Sequence, residues 1–351
     1  MFNSINLIKC VSYNLNKLVY KINSMSRIQK YKESLYKFIK DKSCLMTDTV
    51  VNSEIINNTI YNKIKDNDMI IPILFLTIMN NQNKKNHISM QGYYIASSIA
   101  FLICELEFIE NKSNLITQLS IDDYIKMSNI LFINSTKSLQ QNIESIKNTY
   151  QSQPQNLVNI ITHSLSIFNS TFKVINSYND YKFNFTNKGC NNNVITWYLK
   201  NNTELIDKFK TFKQLTKESL NEYIDKKYVS ICELSIVLGW IIGGGEIKEI
   251  TRIKKSARYF AIMYKISKDF ENLSNDIKNS DKYSANYVLN YGLQDAYELF
   301  LDNKQKFIEE SMIEDIYTNT VKEIIDTIEV NVDLIIDQTS PDLKSSYSSK
   351  V

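Results

Sequence analysis

Turn-making residues are scarce in this chain. Of 351 residues only 7 are glycine and 3 are proline, whereas a β-sandwich or barrel needs tight turns at every strand junction, each wanting a positive or a fixed φ. That shortage excludes an all-β architecture and leaves helices joined by Asn, Lys and Ser loops, so the expected fold class is all-α. Histidine occurs twice. His87 and His163 stand far apart and away from any carboxylate cluster, which reads as ordinary loop or helix positions rather than a catalytic base. The 5 cysteines, Cys10, Cys44, Cys104, Cys190 and Cys232, are odd in number, dispersed and without CxxC spacing. A disulfide framework and a zinc site are therefore excluded, and a reducing, cytoplasmic setting is expected. No charge sign dominates either, with 41 basic against 38 acidic residues, so there is no global electrostatic case for a nucleic-acid or acidic-membrane partner. The longest apolar runs, 69–79 and 93–104, fall short of the roughly 20 residues of a membrane span. They read as buried core helices.

What is present is enough apolar residue, 43%, to bury a sizeable core. Asn, Ile, Lys, Tyr and Ser dominate, a bias that deprives Asn-rich stretches of meaning. Residues 1–25 contain Lys9, Lys17 and Lys21 and no acid, and read as a basic amphipathic segment or an organelle-targeting one. Residues 26–337 read as one helical domain, with stripes such as Ile28, Tyr31, Leu35 and Phe38 at helical spacing. The polar end, 338–351, is expected to be disordered. Asp122 and Asp123 resemble a metal carboxylate pair, but no third carboxylate follows, and Ser120 opening an apolar pattern suits a helix N-terminus, where acids complement the macrodipole. The spacing predicts a helix over 121–149, a long loop over 177–193, and a helix over 204–224.

The glycines are unevenly placed. Four of them, Gly239, Gly243, Gly244 and Gly245, crowd the end of an apolar run. Gly239 and Gly243 are four apart and leave one smooth helix patch where another backbone can approach, while Gly244 and Gly245 end the helix. No GxxxxGK[ST] phosphate loop is present. Lys265, Asp269, Asn272 and Asp276 then follow at i, i+4, i+7 and i+11, one face of a continuous helix. That face is either a solvated stripe with a Lys265–Asp269 ion pair worth roughly 0.3 kcal/mol, or the rim of a cavity.

Three segments carry a resemblance. KYVSICELSIVLGWIIGGG, from Lys227, is similar to the KTxxLxxxS helix and glycine-rich end of trans-isoprenyl diphosphate synthases, the polyprenyl synthetase family. FAIMYKISKDFENLSND resembles that family's second aspartate-rich motif, FQIxDDxxDxxxD. NYVLNYGLQDAYELF, residues 286–300, is similar to the segment that follows it. The resemblance covers about 227–312 and implies a single-domain helical bundle with a central cavity. It also implies two aspartate-rich motifs holding Mg²⁺ on an allylic diphosphate, an apolar tunnel for the growing chain, and a homodimer or a heterodimer with an active synthase.

Residue by residue, Lys227 keeps the lysine of the first element, but Tyr228 stands where the threonine would. In the second motif the glutamine position is Lys265, the first aspartate Lys268 and the third Asn272. Only Asp269 and Asp276 remain. The one candidate for the first motif, CELEFIEN, offers Glu105, Glu107 and Glu110, and NDMIIP before Pro72 lacks the family's basic element. The resemblance thus implies impaired chemistry: Lys227, Lys265 and Lys268 as candidate diphosphate contacts, Asp269 and Asp276 as remnants of a metal site, and Mg²⁺ only if the protein is active. Three functions stay open. They are a non-catalytic partner or binder of a prenyl diphosphate or other apolar chain, a divergent prenyltransferase, and an interaction protein that keeps only the scaffold.

Overall fold

The computed structural model describes residues 27–42, 52–87, 91–151, 154–178, 181–189, 211–279 and 282–339. The expected basic segment 1–25 and residues 340–351 of the tail expected to be disordered lie outside them, while Gln338 and Thr339, the first two residues of that tail, instead end a helix. The architecture is an all-α bundle: α1 (27–42), α2 (Ser53–Asp66), α3 (Ile70–Lys85), α4 (Tyr93–Glu110), α5 (Lys112–Gln118), α6 (Ile121–Thr149) and α7 (Pro154–Tyr178). After a short two-stranded sheet, α8 (Lys217–Ile224) runs through a π-helical turn, Asp225–Val229, into α9 (Ser230–Ile242). Then come α10 (Ile250–Glu271), α11 (Leu273–Asn279), α12 (Tyr287–Tyr291), α13 (Leu293–Ile313) and α14 (Asn319–Thr339).

Helix α9 is the hub. Every residue in it except Glu233 is buried, as befits a segment apolar on all sides, and it packs against α3, α4, α7 and α10. Its unpaired C-terminal carbonyls are met by side chains: the Tyr150 hydroxyl donates to Ile242 O at 3.0 Å, and Asn86 Nδ2 to Gly243 O at 3.1 Å. These bonds satisfy acceptors that a helix end otherwise leaves orphaned in the core.

The glycines of α9 lie against α3. A Cβ on Gly239 would stand 2.9 Å from Phe75 O, and one on Gly243 would stand 2.5 Å from Gln82 Cβ and 2.9 Å from Met79 O. Contact that close lets two apolar helices meet backbone to backbone. Gly243→Ala is therefore expected to destabilise by about 1–3 kcal/mol through overpacking, more than its gain of up to about 1 kcal/mol in helix propensity. The midpoint of urea unfolding measures it, and an unchanged or raised midpoint would contradict the close-packing account.

Two local expectations fail. Lys213–Leu215 is a strand rather than part of a helix over 204–224, pairing antiparallel with Phe185–Gly189 in what was expected to be loop. The pairing joins segments far apart in sequence, and Leu215 N is held by Asn290 Oδ1 at 2.8 Å, so tertiary contacts override the local pattern. The helix after it begins only at Lys217, capped by Thr216, whose side chain accepts from Ser219 N at 3.1 Å. The second difference is that α10 stops at Glu271. Asn272 caps it and Asp276 belongs to a separate short helix. At the other contested position, Ser120 Oγ accepts from Asp123 N at 3.0 Å, a helix cap, and Asp123 pairs with Lys126 and Asn52.

Candidate functional site

A cavity of about 440 Å³ opens where the start of α3, the end of α4, the π-helical turn, the end of α10 and α11 converge. Each wall is set by local chemistry. At the start of α3, Asn67 Oδ1 accepts from Met69 N at 2.8 Å and Asp68 Oδ1 from Ile70 N at 3.0 Å. These bonds hold Met69 at φ 60, a left-handed conformation that a side chain other than glycine seldom adopts. Asp68 is thereby fixed facing α10, where it accepts from the Tyr264 hydroxyl at 2.8 Å and from Lys268 Nζ at 2.7 Å. Lys268 also reaches Glu271 at 2.7 Å and lies 5.5 Å from the Tyr264 ring centre. Burial works to lower the Lys268 ammonium, but Asp68 and Glu271 outweigh it and raise it above the ordinary lysine value.

On the opposite wall Glu110 is saturated. Lys227 Nζ binds one oxygen, and the hydroxyls of Tyr178 and Tyr223 donate to the other at 2.7 and 2.8 Å. Burial pushes this carboxyl up, yet the Lys227 charge and hydrogen bond, with the two tyrosines, hold it below the usual range. Lys227 sits in the π-helical turn, Asp225–Val229. Adjacent residues on a helix point in different directions, and Lys226 lies 4.8 Å from the Tyr181 ring centre while Lys227 lies 4.9 Å from that of Tyr228. A one-turn π widening is a known way to re-aim side chains at a site.

Lys265 and Asp269 do not line the cavity. They form a buried ion pair, only 3% and 7% exposed at the side chain. This differs from both a solvated stripe and a rim, because α10 turns that face inward against the 285–287 backbone. Lys265 also donates to Ala285 O at 3.1 Å, and Asp269 Oδ2 accepts from Tyr287 N at 2.9 Å. Burial pushes Asp269 up to about 6, against the pull of Lys265 and the Tyr287 N–H. Asp276 does reach the cavity, and its Oδ2 accepts from Asn286 Nδ2 at 2.8 Å. Burial raises it above the ordinary carboxylate value.

Magnesium requires several hard oxygen ligands in near-octahedral array. Here the oxygens of Asp68, Glu110 and Asp269 already hold a lysine ammonium together with hydroxyl or amide donors. A divalent ion would have to displace an ammonium at each. Among the described residues no group of three or more His, Cys, Asp and Glu side chains is placed to hold a metal. The residues present do not fit the ion.

The three glutamates of α4 separate. Glu107 lines the cavity and pairs with Lys63 at 3.0 Å, and Glu110 faces Lys227. Glu105 points instead toward α6, where Ser128 Oγ donates to Oε1 at 2.5 Å and Oε2 is buried without a partner. Burial pushes Glu105 up to about 6, with the Ser128 bond opposing. Because the folded value exceeds the ordinary 4.5, its neutral form stabilises the fold fully below about pH 4.5, and that stability is lost as pH rises through about 6. Glu105→Gln is expected to flatten that window and to stabilise the protein at pH 7 by on the order of 1–2 kcal/mol. Urea melts at pH 4.5 and 7 measure the difference, and parallel pH dependence in both proteins would count against it.

Of the residues read from the sequence, the structure brings Lys227, Lys268 and Asp276 to the cavity and leaves Lys265 and Asp269 in the wall behind. Sequence reasoning missed Asp68, Lys63, Tyr178, Tyr223, Tyr264 and Asn286. The tyrosines gave no signal in a chain with 22 of them. Asp68 had one, an acid at the start of an apolar helix. Below the mouth, apolar lining is confined to Ile71, Ile103, Leu106 and Ile231. Phe75, one turn beyond Ile71, and Phe260, one turn before Tyr264, are fully buried and do not line the cavity.

No protein-family model matches the chain, and no curated protein matches it in sequence. Solved structures do match in fold. The chain is similar to an FPP/GFPP synthase from Zymomonas mobilis (TM-score 0.53, 10% identity, 89% of this chain and 99% of that one). It is similar also to the geranyltransferase from Helicobacter pylori (TM-score 0.52, 13% identity, 89% and 98%). A structure of that geranyltransferase complexed with magnesium and isoprenyl diphosphate aligns over 90% of this chain with 14% identity and a TM-score of 0.50. The fold is that of the isoprenyl diphosphate synthases, all-α and spanning nearly the whole length of these structures. Among the described residues no helix is long and apolar enough to cross a membrane.

Proposed function

We propose that this chain is a non-catalytic protein of the isoprenyl diphosphate synthase fold that works as a partner subunit, in a homodimer or beside an active synthase. The observation that carries the reading is the pairing of every lysine at the cavity with a carboxylate. Lys63 holds Glu107, Lys227 holds Glu110, and Lys268 holds Asp68 and Glu271. Six carboxylates against three lysines line the cavity, so a diphosphate meets net repulsion, and each lining lysine is already paired, which weakens the electrostatic stabilisation that a departing diphosphate needs. Only four aliphatic side chains line the cavity, Ile71, Ile103, Leu106 and Ile231, a small apolar surface for a long prenyl chain, which ranks the chain-binding reading lower.

A partner role has a surface to support it. Ile121, Ile125 and Phe132 stand exposed along α6, with Val158 and Leu165 on α7, and an apolar stripe of this kind is what an interface buries. The protein is expected to make no product from isopentenyl and allylic diphosphates with Mg²⁺. Robust magnesium-dependent elongation by the chain alone would overturn the reading. Sedimentation should show a dimer, or a complex with an added trans-isoprenyl synthase, that Ile125→Glu dissociates; a monomer under both conditions would remove the partner role.

A further inference from the structure

The cavity poses an electrostatic problem of its own. Asp68 at the start of α3, Glu107 and Glu110 at the end of α4, and Glu271 and Asp276 at the end of α10 and on α11 face one space. Carboxylates from separate helices crowded into a partly desolvated hollow repel one another unless a cation sits among them. The cations that face this space are the chain's own lysines. Lys268, from the last turn of α10, reaches across to Asp68 and also binds Glu271 beside it. Lys227, from the π-helical turn, reaches across to Glu110. Each ammonium also lies near a tyrosine ring, Lys268 5.5 Å from the centre of Tyr264 and Lys227 4.9 Å from that of Tyr228. Hydroxyl donors fill the remaining places on the same carboxylates, Tyr264 on Asp68 and Tyr178 and Tyr223 on Glu110.

We infer that Lys227 and Lys268 are tethered cations that permanently hold the Glu110, Asp68 and Glu271 carboxylates, so that the cavity walls are joined through ammonium groups and these carboxylates are closed to divalent metal. This deepens the non-catalytic reading and rests on it, but makes a separate claim. A chain could fail to elongate prenyl chains and still bind magnesium, and such a chain would refute the inference alone. The assignment is a positioning one. Neither lysine is a catalytic residue here, and their work is to hold α10 to α3 and the π-helical turn to α4. An ammonium suits this task because three rotatable donors serve two carboxylates at once, as Lys268 does.

The test removes a tethered cation and asks what replaces it. In the wild-type full chain, Tm is expected not to respond to Mg²⁺, Mn²⁺ or methylammonium at millimolar concentration. In Lys268→Ala the vacated space between Asp68 and Glu271 is lined by a tyrosine ring and two freed carboxylates, and either methylammonium or Mn²⁺ should raise Tm saturably. Mn²⁺ binding, read by electron paramagnetic resonance, should be at least tenfold tighter than in wild type. The double variant Lys268→Ala with Asp68→Asn should lose the methylammonium response. Should Lys268→Ala not fold, the wild type still decides the matter. With ¹⁵N-lysine labelling, the two ammonium resonances should exchange slowly with water and stay unmoved by Mg²⁺. Saturable Mg²⁺ or Mn²⁺ binding to wild type that shifts those resonances would overturn the inference, as would a folded Lys268→Ala that responds to neither cation.

Discussion

Asp269→Ala is expected to cost about 3–5 kcal/mol, the largest loss from any single substitution around the site. The residue sits where α10 ends against the chain leading into α12, and its carboxylate has two tasks. It compensates the Lys265 ammonium, a side chain 3% exposed, and it accepts from Tyr287 N at 2.9 Å. Alanine leaves a buried ammonium with Ala285 O at 3.1 Å and the rings of Tyr223 and Tyr228 at 5.5 and 5.7 Å, none of them charged, and an orphaned backbone donor. The asymmetry between breaking a buried pair and replacing it supplies the control, because a partnerless charge keeps its desolvation cost while a neutral pair does not. Lys265→Met with Asp269→Asn keeps an acceptor for Tyr287 and removes both charges, so it should recover most of the lost stability. Urea unfolding of the single and double variants gives the coupling. A single variant within about 1 kcal/mol of wild type, the range of an exposed pair, would show that water reaches this pair after all.

That pair also marks where the sequence was legible and where it was not. The apolar runs of α3, α4 and α9, and the closely packed glycines at 239 and 243, were readable because period and residue type speak for themselves when a helix is buried on all sides. The four-residue spacing of Lys265 and Asp269 was readable too, but spacing cannot say which way a face turns. Burial of that face is decided by the 285–287 backbone folding over it and by Asn286, whose side chain donates to both Asp269 O and Asp276 Oδ2 at 2.8 Å. Likewise the exchange of aspartate for Lys268 could be seen in the sequence, whereas its ion pair with Asp68, 200 positions earlier in the chain, could not. The separation of Glu105 from Glu107 and Glu110 was in principle available, since residues two apart on a helix do not share a face. The π-helical turn was not, because DKKYV carries no pattern that distinguishes one wide turn from an ordinary one.

The second large effect is expected at Glu110. Glu110→Ala removes the partner of Lys227, 12% exposed at its side chain, and leaves the hydroxyls of Tyr178 and Tyr223 without their acceptor. A stranded charge and two unmet donors together should cost about 3 kcal/mol at pH 7. The pH dependence identifies the cause. In wild type, burial works to lower Lys227 but the Glu110 charge raises it above the ordinary 10.5. Its contribution is therefore fully present below about pH 10.5 and lost only at higher pH. Without Glu110 the burial effect loses its main opponent, which lets it take the folded value below the unfolded one. Protons are then bound more by the unfolded chain, and stability should rise as pH climbs from about 8 toward 10. Wild type over the same interval should not gain, because its lysine remains charged in both states. Glu110→Gln separates the two contributions, since the amide still accepts from a tyrosine but carries no charge, so it should retain the upward slope with a smaller loss at pH 7. Chemical unfolding at pH 7, 8.5 and 10 measures all three proteins. A Glu110→Ala variant whose stability stays flat or falls across that interval would mean that Lys227 escapes to solvent when its partner is gone, and that the ion pair, rather than burial, keeps its ammonium in the cavity wall.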